Sequence, residues 1–183
     1  MLMKPMFHML VCLVLSTNLL AYDPLDKDER NDYREPTETW KEEIIEIPSH
    51  FEADNLQEFN VQDPTDRFQF FIERDSLKTS KDRVTRFVVV IRSNRGAVNS
   101  SYEGFRCGLR EHKVYAYGND KGLTPMPGAE WQVLPKGGND YKTILYEDLI
   151  CNMLTGKANP PDTVFRAMRD NRLVDTPFLG SER

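Results

Sequence analysis

The run Phe87-Val88-Val89-Val90-Ile91 is apolar without a break and rich in β-branched residues, which predicts a central strand covered on both faces. Ser93-Asn94-Arg95-Gly96 follows as a turn with glycine where a positive φ is wanted, and Ala97 to Cys107 returns as the partner strand. Upstream, Phe68, Phe70 and Ile72 alternate with Gln69, Phe71 and Glu73. That period of two predicts a strand with three large apolar groups on one face. Lys113 to Tyr117 reads as a further short strand closed by Gly118-Asn119-Asp120. Connections this short imply antiparallel neighbours.

The flanks complete the pattern. Trp40 to Ile47 ends on isoleucines before Pro48 and reads as a strand, against a short helix started by a Thr39/Glu42 capping box. Phe51 to Val61 reads as irregular, anchored by Leu56, Phe59 and Val61, and Leu123 to Gly138 as a loop or short edge strand anchored by Trp131 and Val133. Tyr141 to Leu154 spaces Ile144, Leu145, Leu149, Ile150, Met153 and Leu154 along one helical face. Asn159-Pro160-Pro161-Asp162 opens a second helix to about Arg169, with Val164, Phe165 and Met168 inward. The expectation is an α+β fold: an antiparallel β-sheet core of about four to six strands with C-terminal helices packed on it.

Residues 1–21 set the compartment. Lys4, the apolar stretch Phe7 to Leu15 and the small residue of Leu19-Leu20-Ala21 have the build of a signal peptide cleaved near Ala21-Tyr22. Cys12 lies inside the apolar region and is poorly placed for lipidation. Residues 22–39 then read as a flexible acidic lead-in, 40–170 as a single domain and 171–183 as a C-terminal tail. Removing 21 of 183 residues leaves 162, the size of one ordinary domain, and the loss of Lys4 moves the net charge from −5 to −6. That acidity, with no basic stripe, argues against nucleic acid and anionic lipid as partners. Nothing after the leader is long enough to form a transmembrane segment. The expected location is periplasmic, where Cys107 and Cys151 form a disulfide by default; two buried free thiols and a metal site are the alternatives.

Catalytic vocabulary is sparse. The sequence has no G-x-S-x-G elbow, H-E-x-x-H helix, phosphate-cradling G-x-x-x-x-G-K or dinucleotide G-x-G-x-x-G. Cys107 with His112 is a conceivable nucleophile and base, but a disulfide consumes that thiol. Glu103, Asp140 and Asp148 are among many carboxylates that a hydrolase could pair. No catalytic residue, metal ligand or cofactor is assigned. A richer constellation interleaves Tyr102, Phe105, Tyr115, Tyr117 and Trp131 with Arg106, Arg110 and Lys113. Aromatic rings beside guanidinium groups suit recognition of sugars, peptides or anions, while the bland reading puts the rings in the core. Tyr115 and Tyr117 share period-two parity with Lys113, so Tyr102, Arg106, Tyr115 and Tyr117 are taken as the candidate ligand-binding residues.

Trp40-Lys-Glu-Glu, Phe87-Val88-Val89-Val90, Ser93-Asn94-Arg95-Gly96-Ala97, Tyr102-Glu103-Gly104-Phe105-Arg106-Cys107 and Tyr115-Ala116-Tyr117-Gly118 together resemble the CNP-one-like (cryptic neisserial protein-like) family of exported proteobacterial proteins. The likeness runs from about residue 40 to 152, short of the last helix. It implies a Gram-negative source and a cell-envelope setting, and it supplies no activity and no catalytic residues. The expected function is a noncatalytic binding module whose partner is an envelope protein or small ligand. The alternatives are a hydrolase of cell-wall material and a structural or stress-related envelope protein.

Overall fold

In the computed structural model, the described residues are 39–61 and 67–172. The leader, most of the lead-in and the tail from residue 173 lie outside them. The description below concerns the unit that begins at Trp40.

The Phe87–Ile91 run lies in β4 (Thr85–Ser93), and its residues alternate between two apolar clusters. Phe87 and Val89 face one side of the sheet with Ile72 and Phe105, while Val88 and Val90 face the other with Phe71 and Tyr102. Around β4 the antiparallel order is β1 (Leu56–Phe59), β2 (Phe68–Glu73), β4, β5 (Val98–Arg106), β6 (Glu111–Asn119) and β7 (Gly122–Pro125). Two short strands hang off this path: β3 (Lys78–Thr79) pairs with β4, and β8 (Gln132–Val133) pairs with β6. The β4–β5 turn is the one the sequence predicts, with Gly96 at φ +85° and its N–H donating to the Ser93 carbonyl.

The first cluster is closed by helices. Asp140 caps α1 (Tyr141–Ile144) by accepting from the Lys142 and Thr143 amides, and a π-helical turn, Leu145–Ile150, continues it. Leu145, Tyr146, Leu149 and Ile150 pack on the sheet beside Val164, Phe165 and Met168 of α2 (Pro161–Arg169). The fold is α+β, as expected.

Several elements differ from the sequence reading. The helix expected to reach Leu154 stops at Ile150, because Cys151 turns extended to meet Cys107 in a disulfide. Asn152 then accepts from the Leu154 and Thr155 amides and Gly156 takes φ +64°. These turn signals override the helical periodicity and form the hairpin of β9 (Cys151–Asn152) and β10 (Lys157–Ala158). Met153 and Leu154 are consequently exposed rather than core. Residues 51–61 contribute an edge strand instead of an irregular stretch. The β6 strand runs past Gly118, and Phe68 and Val133 are exposed rather than anchoring. Trp40 to Ile47, expected as a strand, joins no ladder. It packs Ile45 and Ile47 onto the second cluster, over a sheet face whose backbone groups are already paired within the sheet.

Candidate functional site

The face beneath residues 40–47 is built around a β-bulge. Tyr102 pairs with Ala116 and Glu103 with Val114, so Tyr115 is the extra residue of β6. The bulge breaks the alternation. Lys113 and Tyr115 stay on the face of Tyr102 and Arg106, whereas Tyr117, paired with Ser101, turns to the helix side and is half exposed. The shared face expected for Tyr115 and Tyr117 is therefore split. The Tyr115 ring lies over Gly104, where a Cβ would come within 2.9 Å of Cε2.

Glu42 is the hub of this face. Its carboxylate accepts from Tyr115 Oη at 2.6 Å, Lys113 Nζ at 2.9 Å and Trp131 Nε1 at 3.2 Å, with the Arg86 guanidinium 3.6 Å away. Burial opposes its ionised form, but the bonds from Tyr115, Lys113 and Trp131 prevail and hold it below its ordinary 4.5. The same burial, with the Glu42 carboxylate alongside, pushes the Tyr115 phenol far up, so it stays protonated and remains a donor. Arg86 is fully buried and forks onto Asp82 with bonds of 3.2 and 2.6 Å. Asp82 also accepts from the Glu43 and Val84 amides, and its carbonyl accepts from Trp40 Nε1. Arg106 stacks 3.7 Å from the Trp40 ring centroid, faces Trp131 at 5.6 Å, and donates to Glu111 at 2.8 Å.

Beside this network, a groove of about 710 Å³ runs between residues 43–50 and the stretch from Glu73 to Ser80. Arg86, Val88 and Tyr102 line its sheet side. Among the described residues the Tyr102 hydroxyl makes no hydrogen bond, while its ring packs 5.6 Å from that of Tyr115.

The helix side holds a second polar centre. Glu103 is fully buried, and its Oε1 accepts from Ser101 Oγ at 2.6 Å and Tyr141 Oη at 2.7 Å. Glu103 Oε2 and His112 Nδ1 have no partner among the described residues. Burial raises the Glu103 carboxyl and lowers the His112 imidazole, so both favour their neutral forms. Asp148 lines a cavity of about 420 Å³ with Glu147, and burial plus the Glu147 charge raises it. Glu147 itself is paired with Arg110. No group of three or more metal-ligating side chains is assembled among the described residues.

Of the candidate residues, the structure gathers Tyr102, Arg106 and Tyr115 and leaves Tyr117 apart. Sequence reasoning missed Trp40, Glu42, Asp82 and Arg86 as members of the face. One signal for them existed: an arginine next to a run buried on both faces requires a carboxylate partner. The Cys107–Cys151 disulfide is present, with Cα atoms 5.4 Å apart.

Fold and site together define a two-faced antiparallel sheet, helical on one side and overlain by its own N-terminal segment on the other. The chain belongs to the CNP1-like family, whose model matches residues 35–169 and so extends through α2, beyond the expected limit near residue 152. No curated protein and no solved structure matches the chain.

Proposed function

We propose that the protein is an exported, noncatalytic binding module of the cell envelope, and that its partner, an envelope protein or small ligand, meets the face carrying Tyr102, Arg106 and Tyr115. The observation that carries this reading is the groove beside residues 43–50, which adjoins the face of Arg106 and Tyr115 and is lined by Tyr102, whose hydroxyl makes no hydrogen bond among the described residues. A groove that sets one tyrosine ring and its hydroxyl among isoleucines and polar side chains fits recognition better than turnover. Export is supported by the leader-like residues 1–21 and the disulfide. No helix among the described residues is long and apolar enough to cross a membrane.

The test is crosslinking in intact cells, with mass spectrometry of what the wild type and Arg106→Ala capture. Loss of specific partners with the fold retained supports the reading; identical capture removes this face from it. Cell fractionation and intact mass test export, which requires a chain beginning near Tyr22 and lacking both thiol hydrogens.

One observation favours a hydrolase instead: Glu147 and Asp148 line one cavity in unlike environments, one paired with Arg110 and one raised by burial. Release of soluble fragments from cell-wall material, abolished by Asp148→Asn, would establish it.

A further inference from the structure

The Glu42 carboxylate is bound as a ligand is bound. Three donors from separate positions, Lys113 Nζ, Tyr115 Oη and Trp131 Nε1, converge on it, and Arg86 stands behind them. Arg106 stacks on the aromatic ring two residues earlier, Trp40. Arg86 and Arg106 keep acidic partners of their own, Asp82 and Glu111, whereas the described structure gives Lys113 only Glu42. Withdrawing Glu42 would therefore leave one positive charge and two neutral donors aimed at a point beside a guanidinium platform.

The segment that fills this cradle is held lightly by its backbone. Residues 40–47 join no strand, and Ile44 is 99% exposed. The first backbone tie to the sheet beyond Pro48 is the Ser49 carbonyl, which accepts from the Leu123 amide. Among the described residues, the main chain of 40–47 makes one hydrogen bond, from the Glu43 amide to Asp82.

We propose that Arg86, Arg106, Lys113, Tyr115 and Trp131 form a recognition site for an acidic peptide segment of another protein, one with an aromatic residue two positions before a carboxylate. Trp40-Lys41-Glu42 occupies that site in cis as a displaceable internal ligand. The inference rests on the binding-module reading and names the partner's chemistry. A tethered segment competes at an effective concentration of about a millimolar, so a free peptide reaches the intact protein weakly and reaches it well once the internal ligand is disabled.

The probe is a fluorescein-labelled peptide of sequence Trp-Lys-Glu-Glu-Ile-Ile-Glu-Ile, titrated into full-length protein by anisotropy. The double variant Trp40→Ala/Glu42→Ala should bind it saturably and at least tenfold more tightly than the wild type. Adding Lys113→Ala should weaken that binding at least tenfold, and a peptide with glutamine at its third position should bind as poorly. Should the double variant fail to fold, hydrogen exchange on the wild type gives the same answer: excess peptide should speed exchange of the Glu43 amide while the β4 amides stay protected. No saturable binding to a folded double variant, or no change at Glu43 in the wild type under excess peptide, overturns the proposal. If Arg106→Ala still loses envelope partners while the peptide never binds, the face is a binding face and its ligand is not an acidic peptide.

Discussion

Tyr115 donates its phenolic hydrogen to Glu42 across 73 residues of chain, at 2.6 Å. This one bond joins the bulge of β6 to the segment that overlies the sheet. The bulge supplies an unpaired residue, Gly104 gives its ring room, and the ring's hydroxyl then meets a carboxylate whose other donors are a lysine and an indole. The segment from Tyr102 to Cys107 thus serves both faces. Tyr102 and Arg106 go to the overlain face, Glu103 and Phe105 to the helix side, and Cys107 to the disulfide.

Gly104→Ala tests the first step. The new methyl would sit 2.9 Å from Tyr115 Cε2 and 3.0 Å from Val84 Cγ1, so one of them must shift. Overpacking of this kind costs about 1–3 kcal/mol, and it should loosen the Tyr115–Glu42 bond. Denaturant midpoints read the loss, and tryptophan fluorescence reads the displacement of Trp131 or Trp40. A variant as stable as the wild type with unchanged emission would show that the ring does not depend on this glycine.

Asp82→Ala should be among the most damaging single changes on this face. It removes the forked partner of Arg86, 2% exposed, and leaves that buried charge only Glu42 at 3.6 Å, already engaged by three other donors, and the Tyr115 hydroxyl at 3.3 Å. Breaking a buried pair by removing one partner costs about 3–5 kcal/mol, while replacing both partners with apolar residues of similar volume costs far less. Urea unfolding of Asp82→Ala beside Asp82→Leu/Arg86→Met separates the two cases. Equal destabilisation of both variants would mean that packing, not charge, is what the pair contributes.

The sheet was legible in the sequence wherever burial and period agreed. The β4 run is apolar on both parities because both faces are covered, and the Ser93–Gly96 turn carries its own glycine. The site was only half legible, for two physical reasons. A bulge shifts parity by one residue, so Lys113, Tyr115 and Tyr117 look co-facial until β6 is paired with β5. Residues 40–47 have the composition of a strand, yet their partners are side chains on a sheet face, at sequence distances no local pattern encodes. Glu103 was one carboxylate among many until the fold buried it.

The disulfide closes a long loop. Residues 107 and 151 are 44 apart, and in the chain-entropy account a link of that span contributes about 4 kcal/mol. Cys107→Ser/Cys151→Ser should lose about that much, as should the wild type in excess reductant. The damage should concentrate where Tyr146 donates to the Cys107 carbonyl and the Cys151 amide closes the π-helical turn. Amide exchange at Cys151 locates it. Reduction that leaves the unfolding midpoint in place would contradict the estimate.

Glu103 gives stability an unusual pH dependence. Burial, aided by Asp140, outweighs Lys142 and the bonds from Ser101 and Tyr141, so the folded carboxyl titrates above its ordinary 4.5. The unfolded chain releases that proton near 4.5 while the folded chain retains it. The contribution is therefore complete below 4.5 and is lost as pH rises toward the folded value, at up to about 1.4 kcal/mol per pH unit. His112 acts in the opposite sense: burial lowers its pKa from 6.5, so its contribution is present above 6.5 and is lost as pH falls. Glutamine at 103 retains the oxygen that accepts from Ser101 and Tyr141, and it carries no charge at any pH. Glu103→Gln should thus remove the downward slope above 4.5 and leave the His112 slope intact. Urea midpoints for both proteins between about pH 4 and about pH 9 measure this. Parallel curves would mean that the Glu103 carboxyl is ionised within the folded core at neutral pH.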